Sequence, residues 1–215
     1  MEDYAAGLGR DIRGVRIGVP RNYFFDGVDA EVERAFEAAL GTLRGLSAEV
    51  RDLRIPSLAA APSFMLIMLS EAFAYHERDL RAHPELYGEV LRERLMAGGL
   101  ITSAEYVQAQ RIRSEICREV AAALGEVDVL ATPTAPKPAT PYALATDPEF
   151  GFPRSNMAPF NITGLPTLAL PCGFSGTGLP LSLQLSGRAF EESLVLRVGH
   201  AYEQATEWHT RRPPV

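Results

Sequence analysis

The sequence predicts an α/β fold, and three observations carry that expectation. Residues 15–53 read strand, helix, strand, which is the rhythm of an α/β unit. Three later apolar runs, residues 127–133, 167–171 and 181–187, are punctuated by Gly or Pro, as short buried strands are. A pattern of helical period then closes the chain over residues 190–206. With 215 residues the chain suits one domain or two small ones and can bury a substantial core.

Taken in order, residues 15–20 (VRIGVP) form a strand stopped by proline. In the following DAEVERAFEAALGTLR, Val32, Ala35, Phe36, Ala39, Leu40 and Leu43 share one helical face. Asp29 stands where its carboxylate can cap the first turn. Residues 48–53 supply the second strand. A helical middle covers residues 57–124 and includes the apolar segment 58–69. That segment is expected to be a core helix, too short to cross a bilayer and broken by Pro62. A shorter segment follows His83 and Pro84, and a long amphipathic helix starts at Ser103 behind the capping-box pattern Thr102-Ser103-Ala104-Glu105. Behind the strand 127–133 runs a Pro-rich loop, unusually long for a compact domain. The closing helix is expected to bury Phe190, Leu194, Val198, Ala201, Tyr202 and Ala205.

Composition is that of an ordinary globular chain, 47% hydrophobic and 22% charged, and the net charge of −6 gives no electrostatic reason to bind nucleic acid or an anionic membrane. The two cysteines, Cys117 and Cys172, fit a reducing cytosol better than a disulfide framework. The N-terminal MEDYAAGLGRD has no secretory character, so a cytoplasmic setting is expected. Of the 21 basic residues only Lys137 is lysine.

A search for chemistry is mostly negative. The four histidines, His76, His83, His200 and His209, show no i, i+4 pair with a third ligand, so neither metal nor cofactor is expected. The glycines of Gly173-Phe174-Ser175-Gly176-Thr177-Gly178 miss the nucleophile-elbow spacing and lack a following lysine, which leaves a hairpin turn. Cys117 reads as a small packing residue. The residues by themselves give an α/β domain without a visible catalytic constellation.

Five stretches, however, resemble the amidase-signature family in order along nearly the whole chain. They are IRGVRIGVPRNYF (12–24), LYGEVLRERLMAGGLITSAEYVQAQRIR (86–113), VDVLATPTAP (127–136), PFNITGLPTLALPCGF (159–174) and LPLSLQLSGRAFEESLVLRVGHAYEQATEWHTRRP (179–213). The resemblance implies an α/β/α domain around a large mixed sheet, acting on linear amide bonds through a Ser nucleophile, a second Ser in a cis peptide and a Lys relay. Such a serine needs a base within reach and backbone donors for the oxyanion. The family's Lys strand and Gly/Ser-rich nucleophile loop have no counterpart here, since Gly98-Gly99 leads into Leu100-Ile101 and Lys137 lies in a Pro-rich loop. The chain is therefore expected to be the C-terminal portion of one such domain, an incomplete fold with no catalytic residue of its own and inactive toward amides alone.

The resemblance places substrate contacts at Thr134, Phe160, Asn161 and Thr163; a turn or cap role for Asn161 is the competing reading. Arg94 falls where the tRNA-linked amidotransferases carry an arginine near substrate, but solvated or packing roles suit it and Tyr106 better. Those enzymes also carry an acid before the asparagine that aligns with Asn161, whereas this chain has Arg154. An amino acid's ammonium would lack its counter-charge there, at a cost on the order of a few kcal/mol. A general amidase acting on a small-molecule amide is thus expected over a piece of the corresponding subunit of an aspartyl/glutamyl-tRNA amidotransferase. A non-catalytic binding or split-partner module is the further alternative. Half a sheet should expose an unpaired edge, so the isolated chain should associate with itself or with a separate N-terminal half.

Overall fold

The computed structural model, which describes residues 3–142 and 156–212, opens with the expected βαβ unit. Strands β1 (Arg16–Pro20) and β2 (Glu49–Leu53) pair in parallel and are joined by helix α1 (Ala30–Gly45). α1 forms because Val32, Phe36, Ala39, Leu40 and Leu43 recur on one face, where all five are buried. Asp29 caps it, its carboxylate accepting the Glu31 N–H at 2.8 Å.

A 3₁₀ helix (Pro56–Ser63) leads into α2 (Phe64–Ala82), then α3 (Glu89–Gly98) and α4 (Ser103–Glu126). α4 starts at the capping box: Thr102 Oγ1 accepts the Glu105 N–H at 3.2 Å, and Glu105 accepts the Thr102 N–H at 2.8 Å. Strand β3 (Val129–Pro133), the short helix α5 (Ala158–Thr163), strands β4 (Thr167–Phe174) and β5 (Pro180–Gly187) and helix α6 (Glu192–Gln204) complete the order.

The five strands run β2-β1-β3-β5-β4. β1 is parallel to β2 and β3, whereas β5 is antiparallel to β3 and β4, so the sheet is mixed. Because side chains alternate across a strand, the sheet divides two apolar cores. On one side Ile17, Val19, Val129, Ala131, Leu183 and Leu185 pack with α1 and α6. On the other, Val127 and Leu130 pack with Leu58, Ile116, Val120, Phe160 and Ile162 of the 3₁₀ helix, α4 and α5. The result is an α/β/α sandwich.

Three expectations change. The strand predicted over 167–171 extends to Phe174 through an irregularity between Pro171 and Gly173, and it is an edge strand whose Thr167 and Ala169 are exposed. Phe190 is not buried; it is 88% exposed with φ 65, because α6 begins only after the turn it occupies, and Ala205, which caps the other end of α6, is exposed as well. The apolar segment 58–69 is not a wholly buried core helix. Leu58 and Ala61 are buried in the 3₁₀ turn, but within α2 only Leu80 is. Pro62 sits before α2 rather than inside it, so the helix continues well past Leu69. By length and composition Pro56–Ala82 is apolar enough to cross a bilayer, with 17% of its most apolar window buried.

Candidate functional site

The C-terminal end of β3 carries a buried polar cluster. Thr132 and Gln184 pair across β3 and β5. Gln184 Nε2 donates to Thr132 Oγ1 and to the Asn156 carbonyl, both at 2.9 Å. Asn156 is fully buried; its Nδ2 donates to the carbonyls of Phe24 (3.2 Å) and Pro133 (3.0 Å). Asn156 thereby ties the loop after β1 to the end of β3. Its Oδ1, and the Oγ1 of Thr134, are buried without a hydrogen-bond partner among the described residues. A buried polar atom left unmet costs about 1–3 kcal/mol, so both mark places where a donor is wanted.

From Asn156 the chain enters α5 and turns at Gly164, which adopts φ 69. That left-handed conformation suits glycine, and it lets the Gly164 N–H donate to the Phe160 carbonyl at 2.8 Å. Arg113 of α4 holds the same turn, its Nε donating to the Ile162 carbonyl at 2.8 Å. Between α2, α4 and α5 opens a cavity of about 390 Å³. Phe64, Ile67, Met68 and Ile162 make its apolar wall, and Glu71, Gln110, Arg113 and Asn161 its polar groups. Tyr106 braces this wall, its hydroxyl donating to Glu71 at 2.9 Å and accepting from Gln110 Nε2 at 2.9 Å.

Of the four residues proposed from sequence, only Asn161 lines this cavity. Thr163 donates its hydroxyl back into its own helix, to Pro159 O at 2.9 Å. Phe160 is buried and stacks on Phe24 with ring centroids 5.6 Å apart. Thr134 lies at the buried polar cluster instead, its N–H donating to Ser182 O at 3.0 Å. Arg94 is on α3 and is absent from the cavity lining, whereas Tyr106 adjoins it through Glu71 and Gln110. Arg154 lies outside the described residues. Sequence reasoning passed over Glu71, Gln110, Arg113, Thr132, Asn156 and Gln184. A signal existed for two: Gln184 between two leucines, and Thr132 between Ala131 and Pro133, are polar residues inside apolar strands.

Burial pushes the Cys172 thiol up to about 12, so it is no thiolate nucleophile near neutrality. Among the described residues no group of three or more His, Cys, Asp or Glu is placed to hold a metal.

The amidase sequence profile matches residues 1–196. The chain belongs to the amidase family. It is 45% identical to an amidase of Pseudomonas putida over 99% of its own length and 47% of that protein's. It is 41% identical to a glutamyl-tRNA(Gln) amidotransferase subunit from Roseiflexus sp. (strain RS-1), over 99% of this chain and 49% of the relative. A solved chain from a vestigial protein complex, described as revealing the origins of an s-triazine catabolic enzyme, superposes with a TM-score of 0.81 at 27% identity, covering 95% of this amidase-family chain and 46% of the neighbour. The chain thus spans about half the length of the curated relatives it matches. The mixed sheet between helical layers is the fold these neighbours share.

Proposed function

We propose that this chain supplies the substrate-facing wall of an enzyme that hydrolyses linear carbon–nitrogen bonds of amides, and that the Ser, cis-Ser and Lys groups implied by the family resemblance are contributed from outside it. The observation that carries this reading is the amidase match over residues 1–196 in a chain half as long as its relatives. Lys137, the sole lysine of the sequence, is exposed on the loop after β3, which supports a relay drawn from elsewhere. The cavity beside Asn161 supports a small-molecule amide: its apolar wall would take an alkyl or aryl group, and its amide side chains could orient a carbonyl. The isolated chain is then inactive.

The test is turnover of simple aryl and aliphatic amides by the chain alone, and by the chain co-expressed with the segment of the P. putida amidase that it does not match. Hydrolysis is expected only in the second case. Turnover by the isolated chain would overturn the reading.

Within the family we favour a general amidase, because residues 151–160, just before Asn161, carry Arg154 and no acid to meet an ammonium. The 41% identity to an amidotransferase subunit supports the second reading. Glutamine separates them: ammonia released from glutamine by the completed enzyme, in preference to aryl amides, favours the amidotransferase.

A further inference from the structure

We infer that the cleft between α1 and the turn after α6 is a binding site for a free amino acid with an apolar or aromatic side chain. It lies across the sheet from the Asn161 cavity. Ala39, Cys172 and Tyr202 of its lining belong to the core under α1 and α6, whereas Ile162 belongs to the core under α4. The site is separate from the amide chemistry proposed above and does not rest on it.

Small residues open the cleft. α1 presents Ala38, Ala39 and Thr42, and the end of α6 answers with Ala205 and Thr206. Side chains large enough to fill the gap between the two helices are missing there. The space left is about 420 Å³, which falls within the range of small-molecule clefts. Its floor is apolar: Cys172 and Tyr202 are 3% and 1% exposed. The indole of Trp208, which can only donate, hydrogen-bonds the Tyr202 hydroxyl and so closes one side. An apolar or aromatic group placed in the cleft would exchange water for rings, methyl groups and sulfur.

The rim carries charge of both signs. Glu207 and Arg211 flank the 3₁₀ turn Trp208–Thr210. That turn is braced, since Thr210 donates its N–H and its hydroxyl to Glu207 O at 3.1 and 2.8 Å, and the Arg211 N–H donates to Trp208 O at 3.3 Å. Arg211 is pinned further, its guanidinium carbon 5.3 Å from the Phe174 ring centroid and 5.0 Å from that of Trp208. Ring contacts of this kind hold the cation in place without supplying it an anion. Among the described residues neither Arg211 nor Glu207 belongs to an ion pair, although both line the cleft.

Two opposite charges that share a rim without meeting suit a ligand that carries both. An α-carboxylate would take the guanidinium of Arg211, and an α-ammonium the carboxylate of Glu207. A simple acid would leave its charge facing Glu207, and a simple amine would face Arg211. The zwitterion meets both, and its side chain fills the slot between the helices.

Trp208 is the sole tryptophan of the sequence, so its fluorescence reads the cleft directly. The test titrates the full chain with L-phenylalanine, with calorimetry alongside. A saturable change with a midpoint of about 1 mM or lower is expected. 3-Phenylpropionate lacks the ammonium, phenethylamine lacks the carboxylate and glycine lacks the ring; each should bind at least about tenfold more weakly. Arg211→Gln should weaken L-phenylalanine at least about tenfold and abolish its advantage over phenethylamine, and Glu207→Gln should abolish its advantage over 3-phenylpropionate. Both positions are exposed, so both variants should melt within a few degrees of wild type. Three outcomes overturn the inference. One is no saturable signal by either method up to about 20 mM. Another is equal binding of 3-phenylpropionate or phenethylamine, which would assign the cleft to a simple acid or a simple amine. The third is unchanged affinity for L-phenylalanine in folded Arg211→Gln and Glu207→Gln.

Discussion

Asp128 shows how a single side chain closes the joint between β1, β3 and α6. Its carboxylate accepts from Arg16 Nη2 at 2.7 Å and Nε at 3.1 Å, from the Arg16 N–H at 2.9 Å, and from Arg188 at 3.4 Å. The hydrogen bonds from the Arg16 side chain lead in lowering its pKa to about 2. A folded-state pKa below the unfolded one means stability that is present above the unfolded value and lost as pH falls through the folded value. Asp128→Ala should cost about 2 kcal/mol in urea unfolding near neutrality. The gap between wild type and variant should narrow as pH drops from about 4 toward about 2; a gap independent of pH would refute the carboxylate's role. The two thiols should also separate. Cys172 is 3% exposed with its pKa raised by burial, and Cys117 is half-buried on α4. A disulfide reagent should therefore label Cys117 at least about tenfold faster in the native chain. Equal rates would mean that the β4 core opens freely.

At the scale of elements, the packing of α3 on α2 depends on Gly98. A Cβ there would run into the Leu69 carbonyl and touch Phe73 Cβ at 3.0 Å. Gly98→Ala should destabilise by about 1–3 kcal/mol because backbone cannot step aside as a flexible side chain can. Gly125 in α4 has nothing within 4 Å of its would-be Cβ, and Gly125→Ala should gain about 0.5–1 kcal/mol of helix propensity. Thermal melts should shift in opposite directions, and a stabilised Gly98→Ala would contradict the close approach. The ends of α4 differ in how far the chain announces them. Its start was legible in Thr102 and Glu105, which act within one turn. Its far end is held by Arg188, whose guanidinium donates to Leu124 O at 2.9 Å and Val127 O at 2.8 Å. Those partners lie some sixty residues away, and no local pattern could have paired them.

Among the described residues, apolar surface lies without cover. Met68 of α2, Leu91 and Met96 of α3 and Val107 of α4 are exposed. Exposed apolar patches favour association. The isolated chain should self-associate with rising concentration and bind a hydrophobic dye, as sedimentation and fluorescence would register. A dye-silent monomer with one sharp unfolding transition would count against an uncovered surface.

The sequence by itself determined the layered α/β class, the order of the strands and the long helices, both helix caps and the family, but not the short helix α5, which by sequence reads as a turn. Each of these depends on residues close in the chain, whose spacing reports which face is apolar and where free N–H groups are capped. Only the tertiary structure decided that the run after Gly164 is an edge strand rather than a central one, because alternation within a strand is blind to its neighbours. It alone brought Glu71, Gln110 and Arg113 around Asn161, and turned Phe160 and Thr163 into packing and helix-bonding residues. Asn161 stays in reach because the left-handed turn at Gly164 and the Arg113 bond to Ile162 aim that short helix. Side chains far apart in sequence meet only once the sheet has set the distance between them.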